Sequence, residues 1–165
     1  MILRRTQKLT DRLKRGPLVE LQLHENLLLD WSVRQFAVDR SEYMLLCNTP
    51  SFYCAVLDHA EVVTASQFTD RVFGVVRAVL DGAGHGAVDH GVGSVRFAKY
   101  LNRSATGSMN ELVAHATAFL ADGDLSVHEV GVRLNSILLS VLASGSKKYG
   151  KPRDAFAELV ARAGE

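Results

Sequence analysis

The chain has 165 residues, of which 47% are hydrophobic and 22% charged, and its formal net charge is +1 at pH 7. These values are typical of an ordinary globular protein and exclude the disordered and fibrous classes. The longest apolar runs are too short to cross a bilayer, and the first residues lack a secretory signal. We therefore expect a single domain over residues 1–165, located in the cytoplasm and without a membrane partner.

Strand signals lie in the first third of the chain. Residues 1–5 fit a short strand, and Thr6 can cap a helix that runs to about Lys14. Runs of β-favouring residues then follow at about 31–38, 43–47 and 52–57, separated by short turns. Runs and turns of these lengths predict an antiparallel three-stranded meander over about 31–57.

Helical patterns dominate the rest of the chain. Ser126, with Glu129 three residues later, forms a capping box that predicts a helix start. Over 94–100, apolar and polar residues alternate as in a strand with one buried face. Strands early and helices late favour an α+β fold, in which an antiparallel sheet packs against helices on one face. The predicted helices cover about 64–81, 108–121, 126–143 and 152–162.

The two cysteines, Cys47 and Cys54, flank the second turn of the predicted meander. A symmetric hairpin places them opposite each other on one face of the sheet. A disulfide is therefore one interpretation, and reduced, buried packing in a cytoplasmic protein is the favoured one.

The glycine-rich segment 82–93 contains two patterns that are associated with cofactor or metal binding. Gly82 to Ala87 spells the G-x-G-x-x-G/A dinucleotide pattern, but it follows a helix, whereas that pattern requires a preceding strand. His85, Asp89 and His90 are metal-compatible side chains on the same loop, and a solvated loop is the favoured interpretation. We therefore predict no cofactor and no metal site.

The segment 102–111 is the most specific stretch of the chain. Gly107 predicts a turn that leads into a helix beginning at Ser108, where free backbone N–H groups favour an anion. Ordinary capping by Ser108 and Glu111 is the alternative and favoured interpretation. The candidate ligand-binding residues are Arg103, Ser104, Gly107, Ser108, Asn110 and Glu111.

Positive charge is concentrated at the N-terminus. Six basic residues and one acidic residue among the first seventeen give this end a charge of about +5. Such an end can attract an anionic partner, including a nucleic acid. The alternative interpretation is a basic helix that contacts only solvent. The candidate nucleic-acid-binding residues are Arg4, Arg5, Lys8 and Arg12.

Several short motifs follow one another in a recognisable order. They are T-x-K-L at 6–9, a tryptophan before a hairpin at 31, R-S-x-x-G-S-M-N-E/D at 103–111, R-L-N at 133–135, and a tyrosine and a proline before a terminal helix at 149–160. In these motifs the chain resembles a bacterial family of uncharacterised proteins, catalogued only as a domain of unknown function. It departs from that family at Arg5, where a cysteine is usual, and in its glycine-rich loop. The resemblance implies a shared fold and no mechanism.

Three functional hypotheses remain open. The favoured one is a non-enzymatic interaction or accessory module, because no nucleophile, base and orienting group stand at a recognisable spacing. The second is binding of a phosphate-bearing ligand or nucleic acid through the basic N-terminus and the Gly107–Ser108 helix start. The third is a hydrolase or nuclease that uses Glu111 and His115, which lie four residues apart, and it requires Glu111 to face a pocket.

Overall fold

A five-stranded sheet forms the centre of the protein. The structure, a computed structural model, describes residues 1–13, 17–58, 64–85 and 95–164. The strands lie in the spatial order β4-β3-β2-β1-β5. Their bounds are Ile2–Arg4 for β1, Asp30–Val38 for β2, Ser41–Asn48 for β3, Cys54–Asp58 for β4 and Arg96–Ala98 for β5.

The predicted meander is confirmed, but the prediction of a purely antiparallel sheet is wrong. Strands β2, β3 and β4 pair antiparallel in sequence order. Strand β1 instead pairs parallel with β2 on one side and with β5 on the other. Parallel neighbours are joined by long connections, so no short turn signal in the sequence marks their pairing. The sheet is therefore mixed.

In the described parts of the chain, five α-helices surround the sheet. They are α1 (Gln7–Arg12), α2 (Ala65–Gly82), α3 (Arg103–Asp122), α4 (Val127–Leu134) and α5 (Pro152–Ala163). Two short 3-10 helices cover Leu27–Leu29 and Ser140–Leu142. The predicted capping box of Ser126 and Glu129 opens α4, and the hydroxyl and backbone N–H of Ser126 lower the pKa of the Glu129 carboxyl. Among the described residues, no helix has the length and apolarity of a membrane span.

The structure corrects two predicted helix boundaries. Helix α3 begins at Arg103 rather than Ser108, because the side-chain oxygen of Asn102 accepts a hydrogen bond from the Ala105 N–H at 2.9 Å and caps the helix. The helix predicted over 126–143 ends at Leu134, and Asn135 is its C-cap. The apolar pattern beyond Asn135 belongs to the 3-10 turn and a small hairpin instead.

Helices cover both faces of the sheet, whereas the sequence predicted one covered face. Alternate residues of a strand point to opposite faces. In β3, Met44 and Leu46 pack with the buried residues of α1, α2 and α5, while Leu45 and Cys47 pack with those of α3 and α4. The protein is thus a three-layer arrangement of helices, sheet and helices.

A fully buried ion pair ties the N-terminal strand to its surroundings. The Arg4 guanidinium donates to both carboxylate oxygens of Asp30, at 2.7 and 2.8 Å. Its remaining donors bind the backbone carbonyls of Leu21, Gln22 and Lys99 at 2.9–3.1 Å. All five N–H groups of the side chain are therefore satisfied, which is the condition under which a buried arginine is tolerated. Arg4 thereby fixes part of the 17–29 segment, which carries no clear sequence signal for a helix or a strand.

Candidate functional site

A groove of about 740 Å³ runs along β4 at the edge of the sheet. Strand β4 forms its floor, and helices α2 and α4, which belong to opposite faces of the sheet, form its walls. Tyr53 and Phe156 lie at the groove, with their rings stacked at a centroid distance of 4.5 Å. The groove is therefore built by elements from all three layers.

The floor of the groove is a sheet edge that carries backbone hydrogen-bonding groups. The Asn48 N–H donates to the Tyr53 carbonyl at 2.8 Å, so this pair is a hydrogen-bonded one. Because the two kinds of pair alternate along an antiparallel ladder, Cys54, Val56 and Asp58 turn their backbone groups away from β3. These groups face the side on which the groove lies.

Asn135 occupies the first position of that edge. Its side-chain oxygen accepts from the Cys54 N–H at 2.8 Å, and its amide nitrogen donates to the Cys54 carbonyl at 2.9 Å. The Asn135 side chain thus makes the two backbone hydrogen bonds that a neighbouring strand would otherwise make with Cys54. The next outward-facing residue, Val56, lies beyond the reach of this cap.

Gly131 allows α4 to approach this edge closely. A side-chain carbon at this position would lie 3.3 Å from the Val56 nitrogen and 3.5 Å from the Ala55 Cα. Any larger residue would therefore press on the backbone of β4 in front of the Val56 N–H. The absence of a side chain therefore lets the α4 backbone lie against β4 at Val56.

The walls of the groove are mainly apolar, with ionisable side chains at two positions. Val132 of α4 is 57% exposed and lies among the apolar residues that line the groove. The groove is also lined by Arg71, which is half-buried, and by His128, which is exposed. The remaining aliphatic lining residues of the two helices are Val75, Ala78, Val79, Ala83 and Val127.

Cys47 and Cys54 are reduced and lie opposite each other across β3 and β4. Both are buried in the core beneath α3 and α4. Burial and a side-chain hydrogen bond with Cys54 raise the pKa of the Cys47 thiol well above its ordinary value. A thiol of this kind is a poor nucleophile, because the thiolate is the reactive form. The favoured interpretation of reduced, packed cysteines agrees with this arrangement.

The structure does not place the predicted anion site at a helix start. Gly107 and Ser108 lie inside α3, so their backbone groups take part in the helix rather than facing a ligand. Ser108 is buried, whereas the other five candidates are exposed on α3. Arg103, Ser104, Gly107, Asn110 and Glu111 follow one another around the exposed side of this helix, and their binding role stays a prediction.

The predicted basic footprint is divided between the core and the surface. Arg4 and Arg5 are buried, and the Arg5 guanidinium lies 4.0 Å from the centre of the Phe97 ring. Lys8 and Arg12 are exposed on α1, where Arg12 pairs with Glu42 at 2.8 Å. Because Arg4 and Arg5 are buried, two of the four cations are unavailable to a nucleic acid. A charge count along the sequence does not distinguish buried cations from exposed ones.

The arrangement needed for a hydrolase is not formed. Glu111 is exposed on α3, whereas that hypothesis requires it to face a pocket. The His115 ring packs near Phe119, with centroids 6.2 Å apart. Within residues 1–13, 17–58, 64–85 and 95–164, no group of three metal-binding side chains is present. Asp89 and His90 of the glycine-rich loop lie outside the described residues, as does part of the dinucleotide-like pattern.

Sequence reasoning missed the groove, although one signal for it was visible. The buried face of α2 is formed by Phe68, Val72, Val76 and Leu80, which satisfy the helical pattern by themselves. Val75 and Val79 form a second apolar row on the same helix, and this row lines the groove. An apolar stripe wider than one packing face indicates a second contact surface.

Comparison with known proteins identifies a family. The family described as Domain of unknown function (DUF6933) matches residues 2–155, and the chain therefore belongs to it. The comparisons with curated proteins and with solved structures found no match.

Proposed function

For this member of a family of unknown function, we propose a non-enzymatic role as an interaction module, in which the groove beside β4 binds an extended segment of a partner protein. The segment lies along the groove, and its apolar side chains contact the walls formed by α2 and α4.

The observation that carries this proposal is the apolar groove itself, whose walls are formed by helices on both sides of β4. An uncovered strand edge is a template for pairing with another chain, and proteins usually protect such edges. Here Asn135 covers the edge at Cys54, and the α4 backbone at Gly131 lies against Val56. The occupant therefore binds through side-chain contacts with the walls rather than by pairing with the edge.

The size and lining of the groove support the same occupant. Its volume of about 740 Å³ lies in the usual range of binding pockets. The five residues of β4 span roughly 17 Å at the rise of an extended strand, so a partner segment of about five residues fits along them. The aliphatic walls favour apolar side chains in that segment.

The lining residues do not support catalysis. The Cys54 thiol faces Cys47 in the core, and burial raises the pKa of the Tyr53 phenol. His128 on α4 therefore has no activated nucleophile beside it among the described lining residues. Binding without chemistry is the function that this groove supports best.

The proposal is tested by selecting binders from a displayed library of random twelve-residue peptides against the whole protein. A selected peptide is then titrated into isotopically labelled protein, and the amide signals are followed by NMR. We expect the Val56 amide signal to shift, because Val56 lies on the floor of the groove. The variant Val132→Glu, which places a charge in the groove, should weaken binding about tenfold or more.

Leu138→Glu is the matched control, because Leu138 is 55% exposed and lies outside the groove. It should leave the affinity of a groove-binding peptide unchanged. The proposal fails if the selection yields no peptide that binds more tightly than roughly 1 mM. It also fails if bound peptides leave the Val56 amide unchanged, or if both variants weaken binding equally.

A further inference from the structure

A second surface, separate from the groove, combines exposed apolar side chains with unpaired lysines. It surrounds a cleft of about 420 Å³ between the segment 138–151 and the first turns of α5. Leu138, Val141 and Tyr149 line this cleft and are 55%, 37% and 53% exposed. Three large apolar residues exposed side by side are uncommon on a surface that serves only to contact water.

The segment that carries this surface is held in one conformation. Leu139 and Gly150 exchange two backbone hydrogen bonds at 2.9 and 3.0 Å, and Ser144 and Lys147 exchange two more at 3.2 and 3.0 Å. These bonds form a small hairpin. Leu139 is fully buried and anchors it to the core, so the neighbouring Leu138 is directed outward. The exposed apolar residues are therefore displayed on a fixed support.

Positive charge accompanies this apolar surface. Lys147 and Lys151 line the cleft, and Lys148 is exposed next to them. Among the described residues, no carboxylate lies within 4.0 Å of these three ammonium groups, since Asp154 pairs with Arg153 and Glu158 with Arg162. In the described part of the chain, three cations beside this cleft are thus available to pair with a ligand.

We propose that this cleft is a docking site for a segment of a partner protein that is both apolar and acidic. Its apolar side chains contact Leu138, Val141 and Tyr149, and its carboxylates pair with the three lysines. Charge complementarity of this kind selects partners and accelerates their association. The site is distinct from the groove beside β4, and this inference does not depend on the function proposed for that groove.

The lining of the cleft favours a protein segment over a phosphate-rich partner. Asp154 and Glu158 also line it, but each pairs with an arginine, Arg153 or Arg162, so the lysines carry the charge that faces a partner. A single aromatic side chain, Tyr149, offers little for stacking bases. A concave cleft also suits an inserted side chain better than the broad surface of a bilayer.

The test uses three labelled twelve-residue peptides in which leucine alternates with glutamate, serine or lysine. Binding to the whole protein is measured by fluorescence anisotropy at low and at physiological salt. We expect the leucine–glutamate peptide to bind about tenfold more tightly than the other two, and to weaken as salt increases. An oligonucleotide of thymidines and vesicles containing phosphatidylserine serve as competing probes.

Two variants assign the binding to this cleft. The triple substitution Lys147→Gln, Lys148→Gln and Lys151→Gln should remove the preference for glutamate, while Leu138→Glu should weaken all binding of that peptide. Val132→Glu should have no effect, because Val132 lies in the other groove. Equal binding of the three peptides, no binding up to roughly 1 mM, or tighter binding of the oligonucleotide or vesicles overturns the proposal. Unfolding curves of each variant show whether it retains the fold.

Discussion

Replacing Arg4 by methionine tests the idea that one buried guanidinium holds the N-terminal strand in the sheet. The change removes two hydrogen bonds to Asp30 and three to backbone carbonyls, while it keeps an apolar side chain of similar length. Asp30 is left as a buried carboxylate that still accepts a hydrogen bond from the backbone N–H of His24 at 3.0 Å. Breaking a buried pair in this way typically costs about 3–5 kcal/mol. That is a large part of the 5–15 kcal/mol by which proteins are usually stable.

Urea unfolding followed by tryptophan fluorescence measures this loss directly. Trp31 is the single tryptophan, is fully buried and follows Asp30 in the chain. We expect the unfolding midpoint of Arg4→Met to fall sharply, and far-UV circular dichroism to report the same transition. The control is Arg12→Met, which breaks an exposed pair with Glu42 and should cost about 1 kcal/mol or less.

The double variant Arg4→Met/Asp30→Leu separates the ion pair from the other contacts. Because it leaves no unpaired carboxylate, we expect it to be more stable than the sum of the two single losses implies. It should still be less stable than the wild type, since three carbonyls lose their donor. A loss for Arg4→Met no larger than that for Arg12→Met would refute the reasoning.

Three further predictions concern other parts of the fold. Asn135→Ala removes both hydrogen bonds to Cys54 and should lower the free energy of unfolding by about 2 kcal/mol or more in urea titrations; a loss below about 0.5 kcal/mol would show that water replaces the amide. Gly150→Ala places a carbon 2.5 Å from the Leu142 carbonyl oxygen, so hydrogen exchange of the 139–150 hairpin should accelerate; unchanged exchange would contradict this contact. The raised pKa of Cys47 means that the folded chain retains a proton that the unfolded chain releases, so stability should fall as pH rises above about 8.5. This fall should be smaller in Cys47→Ala, and equal pH dependence in both proteins would contradict the assignment.

The candidate sites show where sequence reasoning reached its limit. Segment 102–111 was the most specific stretch of the sequence, and its glycine suggested a turn before the helix. In the structure Asn102 caps α3, and Gly107 is an ordinary helical position. A helix begins after the polar residue whose side chain accepts hydrogen bonds from the N–H groups of the first turn. Two such residues a few positions apart give similar local signals, so the sequence does not show which of them is the cap.

The groove beside β4 and the cleft beside the segment 138–151 have weaker signals in the sequence. Leu138 belongs to the apolar stripe of the helix predicted over 126–143, and Val132 lies within the same predicted helix, yet both are exposed. The helical stripe predicted beyond Asn135 would have buried Leu138, whereas the chain leaves the helix there because Asn135 binds the backbone of β4. Contacts between residues 81 positions apart decide this, and no local pattern contains them.

The sequence by itself determined the elements that depend on local chemistry. Alternating β-favouring residues and short turns determined the three-stranded meander, and the capping box of Ser126 and Glu129 determined the start of α4. Only the tertiary structure decided the parallel pairing of β1, the burial of Arg4 against Asp30, and the packing of α4 against β4 at Val56. Local signals arise from neighbours within a turn of the chain, whereas pairing, burial and packing depend on which distant segments meet.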